Sequence, residues 1–176
     1  MPRYTSYIEL KQYIQLRNAA FQSQAIGCPF DCHTIIHFER LGITPTACSK
    51  EWRLIRQKIK RFHEKHNVIF TLVWTFENSP SIGVHVHCLL YRGSLLNDEY
   101  RKRFLAAIGY PKTSAELIKI KPYHNNKTWD QNTRYLTQYI CKGIREEYRH
   151  LLDGTDCRFQ GEMIGKRIGW TRNLIL

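Results

Sequence analysis

The chain has 176 residues, 43% of them hydrophobic, and 27 Lys and Arg against 15 Asp and Glu give a formal net charge of +12. That length suits one domain rather than two, and the apolar content excludes wholesale disorder. The positive surplus points to a polyanionic partner, nucleic acid or an anionic surface. No apolar run is long enough to span a bilayer, and Met1 to Tyr7 lacks the apolar stretch of a secretory signal. The six cysteines (Cys28, Cys32, Cys48, Cys88, Cys141, Cys157) form no CxxC pair, which fits a reducing compartment. The expectation is therefore a cytoplasmic, monomeric protein without a membrane partner. Cys28-x-x-x-Cys32-His33 is a candidate fragment of a zinc site, although no four-ligand set accompanies it.

Ser6-x-x-Glu9 reads as a capping box opening a helix over about 7–23, with Tyr7, Leu10, Ile14 and Phe21 on its buried stripe. Gly27 and Pro29 end it, and a strand follows from His33 to Glu39. The spacing predicts a second helix over Lys50 to Lys65, burying Trp52, Ile55, Ile59 and Phe62. Arg53, Arg56, Lys60 and Arg61 make its outer side positive and are candidate contacts for a nucleic-acid backbone.

Val68 to Glu77 and Val84 to Arg92, with turn chemistry at Asn78 to Gly83 between them, predict an antiparallel hairpin. Asn97 can cap a third helix with Tyr100, Phe104 and Ile108 inward, closed by Gly109 and Pro111. Leu117 to Lys121 reads as a fourth strand. Thr128-x-x-Gln131 is a second capping box, opening a helix that is expected to reach at least Lys142. A basic tail over about 144–176 completes the chain, with a helix near Glu146. Setting the first helix aside, the order is strand, helix, strand, strand, helix, strand, helix. That order is the split βαβ, ferredoxin-like α+β arrangement, an antiparallel sheet with helices on one face, in a single domain with its core over about 33–143.

The chemistry concentrates in three places. His85 and His87 are two apart in a strand, so their imidazoles share a face and can hold one metal ion between them. Glu77 joins that face if the hairpin pairs positions whose numbers sum to an even value, as when Glu77 faces His85. Two His and one carboxylate suit Mn²⁺ or Mg²⁺ bound to phosphate, or a non-haem iron. On the fourth helix Tyr135, Tyr139 and Lys142 form one stripe, beside Leu136 and Ile140, which would dock the helix on the sheet. A phenol is an effective nucleophile where a metal polarises its target and a nearby cation stabilises its own charge.

Together, Phe76-Glu77, Gly83-Val-His85-Val-His87-Cys-Leu-Leu and Tyr139-Ile-Cys-Lys142-Gly143 resemble the signature of HUH endonucleases, the nicking enzymes of rolling-circle replication and of related transposases and relaxases. His33-Thr-Ile-Ile-His-Phe-Glu39 matches the family's first motif strand loosely, and Gly165 to Leu174 is similar to a C-terminal stretch of some phage and plasmid initiators. The resemblance covers about His33 to Lys142. It implies a divalent ion, Mn²⁺ or Mg²⁺, held by His85, His87 and Glu77. It further implies that Tyr139 attacks a single-stranded DNA origin, which can be presented as a hairpin, to give a 5′-phosphotyrosine and a free 3′ hydroxyl, with Lys142 stabilising charge. Tyr135, one turn before Tyr139, fits either a second nucleophile or packing. No Gly-x-x-x-x-Gly-Lys motif is present, so a helicase would be a separate partner. Three other readings remain: a metal-free single-stranded nucleic-acid binding module, a transposase of the same family, and an iron oxygenase, for which the basic charge has no use.

Overall fold

A computed structural model describes residues 4–95, 97–110, 117–153 and 158–174. In chain order the elements are β1 (Tyr4–Thr5), α1 (Leu10–Ala25), β2 (Cys32–His37), α2 (Cys48–Lys65), β3 (Leu72–Ser79), β4 (Gly83–Leu90), α3 (Asn97–Ile108), β5 (Ile118–Pro122), α4 (Trp129–Ile140), β6 (Met163–Ile164) and β7 (Ile168–Trp170). Five strands form one antiparallel sheet in the order β5-β2-β4-β3-β7, and β1 pairs with β6 in a separate two-stranded ribbon. Strands β2 to β5 with α2 and α3 make the expected ferredoxin-like unit.

Alternation along the strands divides the interior into two cores. Val84, Val86, Cys88 and Leu90 of β4 and Leu72, Trp74 and Phe76 of β3 pack with Trp52, Ile55 and Ile59 of α2 and Tyr100, Phe104 and Ile108 of α3. Helices α2 and α3 thus cover one face, as the alternating pattern requires. Val73 and Leu89 point to the other face, where they meet Leu16 and Ala20 of α1 and Leu136 and Ile140 of α4. The sheet is therefore covered on both sides, and α4 lies on the face that β4's histidines occupy. Thr75 Oγ1 donates to the Ile140 carbonyl at 2.7 Å, pinning the C-terminal end of α4 to β3.

Several sequence expectations need correction. Helix α1 buries Tyr13, Leu16, Ala19, Ala20 and Ser23, while Tyr7 and Ile14 are exposed and Leu10 and Phe21 only half-buried. Small residues on the buried stripe let α1 approach its neighbours closely, so its inner face carries little hydrophobic signal. Its cap is also shifted: the Glu9 backbone N–H donates to Gln12 Oε1 at 2.9 Å, and Ser6 is not the capping residue. Helix α4 has its capping box at Thr128 and Gln131 but ends at Ile140, two residues short of Lys142. Strand β3 starts at Leu72, because the Val68 amide still bonds back to His63 at the end of α2. The side chain of Asn97 and the whole of Pro111 lie outside the described residues.

The C-terminal stretch is structured. After a 3₁₀ helix at Glu146–Leu152, β6 and β7 return to the body, and β7 becomes the fifth strand of the sheet, against β3. Arg167, almost wholly buried, donates to the carbonyls of Thr5, Phe76, Gln160 and Gly161. One guanidinium thereby ties the N-terminal ribbon, the end of β3 and the returning chain together. Burial pushes its pKa down to about 10, so it keeps its charge at neutral pH.

Candidate metal centre

The hairpin register is the even-sum one: Glu77 faces His85, and Thr75 faces His87. The two imidazoles and the carboxylate consequently project from one face, and all three side chains are buried. Their ligand atoms lie within 4.8 Å of one another, the one such cluster of three or more His, Cys, Asp or Glu among the described residues. Glu77 Oε2 is 3.1 Å from His85 Nε2, and Glu77 Oε1 is 3.5 Å from His87 Nε2. Gly83, at φ +75, turns the hairpin, and its carbonyl accepts from His85 Nδ1 at 2.9 Å. Glu39 holds the same turn by accepting the Val84 N–H at 3.0 Å.

These contacts decide the tautomers. Because His85 donates from Nδ1, a neutral ring leaves the Nε2 lone pair aimed at the carboxylate. Two acceptors 3.1 Å apart repel unless a cation lies between them. A second proton on His85 would answer that contact alone, leaving His87 Nε2 and Glu77 Oε1 buried without partners. A shared divalent ion answers all three atoms at once, so the residues fit a metal. Burial alone would raise the Glu77 carboxyl, but contacts with His85 and His87 and the charge of Lys142 overturn this and hold it well below the usual carboxylate range. It is a carboxylate at neutral pH, as a ligand must be.

Two further histidines share the face. Strand β2 pairs His37 with His85 and places His33 next to His87. His33 Nε2 lies 3.0 Å from His87 Nδ1, and the rings stack at 5.2 Å. Burial, reinforced by the charges of His87 and Lys121, pushes His33 down to about 3, so it is neutral and can act as an acceptor. His37 stacks on His85 at 5.4 Å, is only 5% exposed, and has no partner for either ring nitrogen. Burial, with the neighbouring His85, lowers it to about 4. Neither was singled out for this site from sequence. The signal was available, since residues four apart in a strand share a face, and both lie in the strand expected to begin at His33.

From α4, Tyr139 reaches this cluster. Its ring meets His87 edge-on at 5.5 Å and His33 at 6.0 Å. Lys142, just past the helix end, sets its ammonium 4.3 Å from the Tyr139 ring centroid and 2.9 Å from Glu77 Oε2. Tyr139, Lys142, Glu77, His85 and His87 line one cleft of about 600 Å³. Tyr135 does not join them. It is 46% exposed, does not line the cleft, stacks on Tyr139 at 6.3 Å, and has Lys127 4.7 Å from its ring centroid.

The α2 cations are also elsewhere. Helix α2 covers the opposite face, so Arg53, Arg56, Lys60 and Arg61 are separated from the cleft by the sheet. Arg56 lies against Trp52 and Trp74, and Lys60 pairs with Glu64 at 3.4 Å. The Cys28, Cys32 and His33 group does not form a zinc site. Cys32 is buried in the core under α2 and α3, whereas His33, its neighbour in the strand, points to the other face.

No helix among the described residues is long and apolar enough to cross a membrane. Comparison of the chain with protein-family models, with curated proteins and with solved structures returns no significant match.

Proposed function

We propose that the protein nicks and rejoins single-stranded DNA through Tyr139 in a divalent-metal-dependent reaction, as the initiating nuclease of rolling-circle replication and in the manner of the HUH endonucleases its motifs resemble. The observation that carries this reading is convergence. A tyrosine on α4 and two histidines and a glutamate on the β3–β4 hairpin, brought from separate elements, face one cleft. Mn²⁺ or Mg²⁺ held by His85, His87 and Glu77 would polarise the scissile phosphate.

Tyr139 is the nucleophile: its phenolic oxygen bonds to phosphorus as the bond to the 3′ oxygen breaks. The phenolic proton passes to solvent in the cleft, and the departing 3′ oxygen takes one up. Lys142, against the tyrosine ring, offsets the negative charge that develops on the phosphate as the phenolic oxygen attacks. The product is a 5′-phosphotyrosine, which the same residues can reverse when a 3′ hydroxyl returns. Tyr135, a turn farther from the ligands, serves as a packing platform for Tyr139.

One contact favours a second reading, a binding module that needs no ion: Lys142 already supplies a positive partner to Glu77 at 2.9 Å. Incubation of the protein with single-stranded DNA and Mn²⁺ separates the two. The nuclease reading expects cleavage, a covalent protein–DNA adduct, its loss in Tyr139→Phe with Mn²⁺ binding retained, and its persistence in Tyr135→Phe. Full cleavage by Tyr139→Phe would remove the assigned nucleophile, and tight binding in chelator without cleavage under any divalent ion would favour the binding module.

A further inference from the structure

Strand β5 brings two lysines to the histidine face that the chemistry above does not use. Lys119 pairs across from Ile35 and Lys121 across from His33, so both side chains project on the side of His33, His37, His85 and His87. Both are exposed and line the cleft, and among the described residues neither is matched with a carboxylate. Two residues apart on a strand, they sit about 6.8 Å from each other along the chain, comparable to the step between neighbouring phosphates of an extended single strand.

Neutral donors accompany them. His37, on the cleft wall, has no partner at either nitrogen, and Ser79 Oγ at the opposite wall is likewise buried and unpaired. At the rim the ring of Phe159 is 55% exposed, a surface on which a base can stack. Among the described residues, Glu77 is the one acid that lines the cleft, and Lys142 already holds it.

We infer that a DNA single strand lies along the β5 side of the histidine face, its phosphates on Lys119 and Lys121 and a phosphate oxygen within reach of His37, and not along α2. This rests on the proposed nuclease reading for the choice of ligand. It also replaces the α2 arginines as the electrostatic contact. Those lie behind the sheet, where a strand bound to them could not present a phosphodiester to Tyr139.

The test uses the full chain in chelator, with fluorescent oligothymidylate as probe and anisotropy read over a salt series. Each phosphate contact on a single strand contributes about 0.7 to the slope of log affinity against log salt. Lys119→Ala with Lys121→Ala should reduce the slope by about 1.4. His37→Ala should weaken binding by removing a donor from the cleft wall. Arg53→Ala with Arg61→Ala should change neither. The inference is overturned if the α2 pair lowers the slope and the β5 pair does not, or if the wild-type chain fails to bind the probe. Cleavage scored separately with Mn²⁺ keeps the two ideas apart. Lysine-dependent binding without cleavage sinks the nuclease reading alone, and cleavage with an unaltered slope in the β5 variant sinks the cradle alone.

Discussion

Substituting His33 examines the candidate metal centre through a residue outside its ligand set. If His87 offers Nε2 as ligand, its proton sits on Nδ1 and must be donated, and the acceptor is His33 Nε2 at 3.0 Å. Burial keeps His33 neutral, so that acceptor is present at physiological pH. In His33→Ala the His87 Nδ1–H is left buried without an acceptor, a loss of about 1–3 kcal/mol, and the ring is freed to turn. Outer partners of metal-binding histidines typically account for about 10–100-fold in affinity, or about 1.4–2.7 kcal/mol. Calorimetric titration with Mn²⁺ should therefore show His33→Ala weakened by roughly that factor. His33→Gln, whose amide carbonyl can accept the same proton, should recover most of it. Wild-type affinity in His33→Ala, or no recovery in His33→Gln, would refute the tautomer argument and with it the orientation assigned to His87.

Burial pushes His63 down to about 4, and Tyr100 hydroxyl contacts its Nε2 at 3.2 Å. As pH falls below about 6.5 the unfolded chain gains a proton that native His63 refuses until about pH 4, so stability should fall over that interval, by at most about 1.4 kcal/mol per pH unit for each such group. His33 and His37 act in the same direction, and thermal midpoints of His63→Phe should show a shallower pH dependence than wild type. Gly83→Ala drives a Cβ into the Glu39 carboxylate at a left-handed φ. It should cost about 1–3 kcal/mol in urea unfolding and also weaken Mn²⁺ binding, since the Gly83 carbonyl orients His85. Arg167→Ala removes the donor shared by four backbone carbonyls and should cost about 3 kcal/mol in the same assay, with Arg167→Lys restoring less than half.

What could be read in advance follows from period and what could not follows from length and layer. The two-residue repeat of β4 separates His85 and His87 from Val84, Val86 and Cys88, and the hairpin turn limits Glu77 to two registers, so the ligand set was legible. Strands β6 and β7, two and three residues long, are too short for any periodicity to register. Helix α1 hides because Leu16 is the one large aliphatic residue on an inner face otherwise built from Tyr, Ala and Ser. The side of the sheet on which each helix rests is a tertiary fact that an outward-facing stripe does not contain, and so the stripe alone did not show that Arg53, Arg56, Lys60 and Arg61 lie on the face opposite the cleft. A stricter use of alternation would have placed them there, because the apolar half of β4 has to face α2 and α3. It would also have put His33 and His37 beside the ligands.

The pleat of β4 links two kinds of failure. A slip of one residue in the Pro80–Ile82 connection would turn both imidazoles into the core under α2 and α3 and present Val86 and Cys88 to the cleft. No misregistered form of this hairpin could be both well packed and able to bind an ion. Single-residue insertions and deletions between Ser79 and Ile82 should consequently abolish folding and metal uptake in step, whereas paired changes that restore the parity of the turn should rescue both together.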